Sequence, residues 1–114
     1  DFTRFAGTME FSGNNSLIRK NRIEAIAVTV KNFYKDLELF PAEKEAAVSG
    51  LRPVSPDGLP FIGRTSKYKN LIIGSGHAMM GWSLGPITGK LISQVIEEKE
   101  TTVKLSPFDP DRFR

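Results

Sequence analysis

Sixteen residues constrain this chain more than any others: Gly74-Ser-Gly-His-Ala-Met-Met-Gly-Trp-Ser-Leu-Gly-Pro-Ile-Thr-Gly89, of which five are glycine. The stretch follows the apolar run Leu71-Ile72-Ile73 and leads into a helical pattern from Ile87 to Glu98. Glycine at this density marks a backbone that turns sharply or lets something approach closely. Strand, glycine-rich loop and helix N-terminus, in that order, present backbone N–H groups and a positive helix end to an electron-rich ligand. The same order also serves as a plain connection, and shape alone leaves both readings open. Spacing removes the common phosphate motifs. The dinucleotide fingerprint G-x-G-x-x-G needs glycine where Met79 stands, and no Lys-Ser or Lys-Thr follows the glycines.

The rest of the chain predicts an α+β fold of a few short strands and two main helices. Residues 3–11 alternate as a strand does, with Phe5, Gly7, Met9 and Phe11 on one face and Arg4, Thr8 and Glu10 on the other. An opening that already reads as strand implies a piece of a longer polypeptide. From Arg22 to Leu37, apolar residues at Ile23, Ile26, Ala27, Val30, Phe33, Tyr34 and Leu37 fall at helical spacing, with Asn21 as N-cap and Glu24 completing a capping box. Phe40-Pro41 ends that segment. Ala46–Leu51, Phe61–Gly63 and Leu71–Ser75 read as strands, and Lys67–Asn70 as a turn. Pro56-Asp57-Gly58 is a turn because proline fixes one dihedral and glycine supplies positive φ. The last helix is expected to start near Pro86, burying Ile87, Leu91, Val95 and Ile96. The tail from Pro107 to Arg114 reads as irregular and charged.

Composition excludes several functions. With 39% apolar and 25% charged residues the chain is expected to fold. The net charge of +3 is scattered, so no nucleic-acid surface is expected. There is no cysteine, and His77 is the only histidine, so neither a metal site nor a cysteine nucleophile is expected. Ser75 and Ser83 flank His77 without a G-x-S-x-G elbow. Asp57, Glu43 and Glu45 read as solvated carboxylates. His77 reads as a hydrogen-bonding structural residue or a catalyst. Met79, Met80 and Trp82 would pack in a core or floor a flat ring. Arg52, aimed by Leu51 and Pro53, would make a surface ion pair or grip a carboxylate with two parallel hydrogen bonds.

Taken together, Gly50-Leu-Arg-Pro-Val-Ser-Pro-Asp-Gly-Leu-Pro-Phe-Ile-Gly63, Asn70-Leu-Ile-Ile-Gly-Ser-Gly-His77 and Gly81-Trp-Ser-Leu-Gly-Pro-Ile-Thr-Gly-Lys-Leu-Ile92 resemble the C-terminal part of FAD-dependent amine oxidoreductases. That family includes D-amino acid oxidase, glycine oxidase, sarcosine oxidase and D-amino acid dehydrogenase. The resemblance runs over most of residues 3–98 and is strongest to the D-amino acid dehydrogenase and glycine oxidase branch. It implies that Arg52 binds the substrate carboxylate. It also implies that Gly76, His77, Met79, Met80, Gly81, Trp82 and Ser83 lie against the pyrimidine side of the flavin. The implied reaction is hydride transfer from an amino acid α-carbon to FAD, giving an imine that hydrolyses to a 2-oxo acid and ammonia, with no metal and no certain catalytic residue.

By the same resemblance, residues 1–70 are the C-terminal part of a substrate-binding domain, and residues 71–114 are a strand, loop and helix returning to the FAD-binding domain. The family's N-terminal G-x-G-x-x-G unit is missing, so the expectation is a C-terminal fragment that neither retains FAD nor turns over alone. Its expected partners are an amino acid and the missing N-terminal part. A cytoplasmic location is implied, with contact to the inner face of the cytoplasmic membrane or to a quinone as a further implication. The alternative is a non-catalytic interaction module or a subunit completing a partner's flavin site.

Overall fold

The computed structural model describes residues 2–114, and the chain divides after Leu51 into two compact units. The fold is α+β, as expected. Helices α1 (Lys20–Phe33), α2 (Pro41–Glu45) and α3 (Gly81–Ile96) accompany a two-stranded antiparallel sheet of β1 (Phe61–Thr65) and β2 (Tyr68–Ser75).

The first unit is built around α1. Its apolar repeat buries Ala27 and Val30, with Ile23 and Ile26 half-buried. The helix starts at Lys20 and stops at Phe33, short of the expected Leu37. Asn21 therefore lies inside it rather than at its cap, and Arg19 takes that place without a side-chain capping bond. Arg19 and Arg22 instead meet the carboxylate of Glu10 at 3.0 and 3.1 Å. Pro41 does not simply end the segment. It opens α2, where the Glu43 carboxylate accepts a 2.7 Å bond from the Phe40 N–H.

The strands expected at 3–11 and 46–51 do not form. Among the described residues neither segment has a strand beside it, and lone strands leave their N–H and C=O groups unpaired. Thr8, at φ 59°, also breaks the pleat. Only the first half of the alternation in 3–11 serves packing, since Met9 and Phe11 are exposed. The Phe5 ring meets Tyr34 edge-on at 5.6 Å, and a Cβ on Gly7 would stand 3.3 Å from Ile26 Cγ1.

In the second unit the two remaining strands are longer than expected. The turn contracts to Ser66-Lys67, so Tyr68–Asn70, expected within a turn, belong to β2. The register pairs Phe61 with Ser75, Ile62 with Gly74 and Gly63 with Ile73, with an irregularity between Arg64 and Thr65. The expected domain boundary at 70/71 falls inside β2. Helix α3 packs on this hairpin, with Ile62, Thr65, Thr88 and Leu91 buried. Gly74 lets it do so, since a Cβ there would meet the Ile92 side-chain tip and come within 3.3 Å of Thr88 Cγ2.

Helix α3 starts at Gly81, not near Pro86. A 3-10 turn at Ala78–Met80, with Met80 N–H bonded to the His77 carbonyl at 2.8 Å, runs directly into it and sets the first turn. Pro86 is thus interior, where its missing N–H removes the helical donor for the Trp82 carbonyl. The far end closes as a Schellman motif. Lys99 N–H bonds to the Gln94 carbonyl at 2.9 Å and Glu98 N–H to Val95 at 3.4 Å, with Glu98 left-handed at φ 56°. A glycine there would relieve a conformational cost of about 1–2 kcal/mol, partly offset by added freedom in the unfolded chain. Glu98→Gly is therefore expected to raise the thermal unfolding midpoint; a lowered midpoint would contradict the strained cap.

Candidate functional site

The glycine-rich loop is held by three local devices. Gly76 is buried at φ 81°, and a Cβ there would stand 3.1 Å from the Phe61 ring, so both backbone and space demand glycine. The His77 imidazole Nε2 lies 2.9 Å from the hydroxyl of Thr88, which is buried in the second turn of α3. That bond accounts for His77 structurally, tying the loop to the helix that follows it. Ala78, at φ 47°, takes a left-handed conformation that residues with a Cβ seldom adopt.

Arg52 joins this loop across 26 residues of sequence. Its Nη1 donates to the Ala78 carbonyl at 3.1 Å, while Ala78 N–H donates to the Pro53 carbonyl at 3.1 Å. Val54 and His77 add an antiparallel bridge. The arginine is exposed, and among the described residues it has no acidic partner within ion-pair distance and no further hydrogen bond. The surface ion pair open to it from sequence is therefore not what it makes. Its Nε–Nη2 edge has the donor geometry for a carboxylate.

Beside Arg52 and the loop stands the N-terminus of α3. No side chain caps it and no acidic residue lies in its first turn, so its positive end is uncompensated. Met79, Met80 and Trp82 are 70%, 53% and 94% exposed, which excludes the core packing that was open to them from sequence. Gly81 and Ser83 are exposed too, and Ser83 makes no capping bond. An uncapped donor end ringed by apolar side chains fits a planar, electron-rich heterocycle edge, so the residues present fit the pyrimidine side of a flavin. Among the described residues, no three His, Cys, Asp or Glu side chains gather as a metal site.

The sequence reading missed three groups. Thr88 was not distinguished from its helix face. Ala78 is the one residue from Gly76 to Ser83 outside the implied flavin contacts, and left-handed alanine has no compositional signal. Asp57, read as a solvated carboxylate, is clamped by Arg112, with Nε and Nη2 donating to its two oxygens at 2.9 Å each. Nη2 also donates to the Leu59 carbonyl at 2.7 Å, and the guanidinium lies 4.1 Å from the Phe61 ring centre. The tail is therefore anchored to the Pro56-Asp57-Gly58 turn rather than loose. Asp111 strengthens the attachment by accepting from Thr65 Oγ1 at 3.0 Å and Ser66 N–H at 2.6 Å. No spacing rule links residues 55 apart.

Comparison with known proteins identifies the family of the chain. The family model described as FAD dependent oxidoreductase (DAO) matches residues 1–95. A D-amino acid dehydrogenase of Neisseria gonorrhoeae is 31% identical over 97% of the chain and 26% of its own length. One from Vibrio atlanticus is 33% identical over 99% of the chain and 26% of its own length. The crystal structure of glycine oxidase from Geobacillus kaustophilus superposes with a TM-score of 0.66 at 26% identity, over 90% of this chain and 27% of that one. The chain thus spans about a quarter of the length of the curated relatives it matches. No helix among the described residues is long and apolar enough to cross a membrane.

The Asp57–Arg112 pair has a pH signature. Hydrogen bonding from Arg112 holds the Asp57 carboxyl far below the usual carboxylate range. A carboxyl depressed by folding contributes stability that is complete above its unfolded pKa, about 3.9, and is lost as pH falls through the folded value. The stability gap between the native chain and Asp57→Asn should therefore be constant above about pH 5 and narrow below about pH 4. A gap that does not change between these ranges would contradict the clamp.

Proposed function

The chain belongs to the FAD dependent oxidoreductase family, and from that premise we propose that it carries the carboxylate-binding and flavin-edge half of an amino acid oxidoreductase site. The observation that supports this most is the joining of Arg52 to the glycine loop. In a protein of this family, that joining brings an arginine with a carboxylate-shaped donor edge beside an uncapped helix N-terminus.

Each residue has a physical task in this reading. Arg52 binds the carboxylate of an α-amino acid through two parallel, charge-assisted hydrogen bonds and so fixes the α-carbon. Gly76 and Gly81 keep the loop backbone close to the ring. His77 holds the loop against α3 through Thr88. The first-turn N–H groups of α3, at Gly81, Trp82 and Ser83, would hold the pyrimidine edge and favour negative charge there. Met79, Met80 and Trp82 cover apolar ring surface. FAD, when bound, supplies the acceptor for the hydride leaving the α-carbon. Residues 1–70 would belong to the substrate-binding part and residues 71–114 to the part returning to the flavin.

The named relatives, a D-amino acid dehydrogenase and a glycine oxidase, support an amino acid as substrate. The carboxylate that Arg52 would hold is common to D-amino acids, glycine and N-substituted relatives. Because the chain covers only about a quarter of those relatives, the rest of the cofactor would be held by residues outside it. The chain by itself is expected to purify without flavin absorbance, and a yellow preparation near one flavin per chain would contradict that.

Arg52 provides the direct test. In the FAD-loaded enzyme, Arg52→Ala removes two hydrogen bonds to a charged group, together about 3 kcal/mol or more, so KM for the amino acid should rise roughly 100-fold. Unchanged KM across amino acid substrates would remove Arg52 from the site.

A further inference from the structure

We propose that Ala78 is a positioning residue: its left-handed backbone holds the carbonyl that aims Arg52, making the carboxylate clamp and the flavin loop one mechanical unit. This rests on the reading of Arg52 as the carboxylate-binding residue. Arginine has four rotatable side-chain bonds and loses much conformational freedom when it is fixed on a ligand. Here one contact restricts it beforehand. Nη1 is committed to the Ala78 carbonyl at 3.1 Å, and the Nε–Nη2 edge stays open for both oxygens of an α-amino acid carboxylate.

The aiming contact depends on the backbone of Ala78 in two ways. Its N–H donates to the Pro53 carbonyl at 3.1 Å, which ties the loop to the residue directly after Arg52. Its φ of 47° sets the peptide plane that carries the accepting oxygen. A residue driven to negative φ turns that plane and releases the guanidinium. Gly76 at φ 81° and the Val54–His77 bridge hold the loop just before this point, and the 2.8 Å bond from Met80 N–H to the His77 carbonyl holds it just after, so the strain at Ala78 is sustained by its surroundings. The placement of the loop and the alignment of the arginine therefore depend on the same residue.

The test measures acetate binding by its perturbation of flavin absorbance in the FAD-loaded enzyme, beside KM and kcat for the amino acid. Ala78→Val disfavours the left-handed conformation by about 1.4 kcal/mol or more, so the acetate Kd should rise about tenfold, KM should rise with it, and kcat should stay within about twofold. Ala78→Asn, which tolerates that conformation, should bind acetate within about threefold of the native enzyme. In an Arg52→Ala background, Ala78→Val should change the acetate Kd by less than about twofold, because it acts only through the arginine. If Ala78→Val does not accumulate with flavin bound, Ala78→Thr replaces it. Threonine is also β-branched and disfavours the left-handed backbone, so a rise in Kd of about threefold or more is expected. An unchanged Kd in the Ala78 variant tested, while Arg52→Ala weakens acetate, overturns the positioning role alone. Equal losses from Ala78→Val with and without the arginine do the same. An unchanged Kd in Arg52→Ala itself overturns the carboxylate reading beneath it.

Discussion

The pairing of Arg52-Pro53 with Ala78 is the contact on which the site depends. Two reciprocal hydrogen bonds, each 3.1 Å, join a proline-stiffened segment to the glycine-rich loop. The surrounding residues hold the loop in place for that contact. Thr88 receives the His77 ring, Phe61 fills the space beside Gly76, and Gly74 lets β2 lie close against α3. At the other end of the same segment, Arg112 fixes the Asp57 turn with a bidentate bond. The segment that carries Arg52 is therefore held at both ends within its unit, by backbone geometry at Ala78 and by an ion pair at Asp57.

Electrostatics supports the proposed reading of this loop over that of an ordinary connection. A helix N-terminus normally finds a serine, threonine, aspartate or asparagine to satisfy its free N–H groups. Helix α3 has none, and no acid in its first turn. Trp82, at 94% exposure, is a large apolar surface left in water next to those donors. Each feature alone is unremarkable on a protein surface. Together, in a member of an FAD-dependent family, they are what a flavin edge would cover.

Much of this was legible from periodicity and motif. The 3.6-residue repeat in α1 and the stripe around Leu91 marked helices, although of the expected stripe only Leu91 is buried and Val95 half-buried, with Ile87 and Ile96 exposed. The glycine loop and Arg52 gained their proposed roles only through the family resemblance, since the first also read as a plain connection and the second as a surface ion pair. What failed was whatever depends on a neighbour in space. Residues 3–11 alternate as a strand should, yet a strand exists only beside another. Pro86 looked like a helix start, but the 3-10 turn at Ala78–Met80 had already set the helix direction. The bonds of Arg52 to Ala78, His77 to Thr88 and Arg112 to Asp57 join residues 26, 11 and 55 positions apart, and no spacing rule reaches them.

The most direct test of the account is a crystal structure of the FAD-loaded enzyme with a carboxylate bound. The account predicts both carboxylate oxygens about 3 Å from Nε and Nη2 of Arg52, with Nη1 still on the Ala78 carbonyl. It also predicts the flavin pyrimidine edge against the first turn of α3. A carboxylate held by other residues, with Arg52 turned into solvent and the flavin edge away from Gly81, would contradict it.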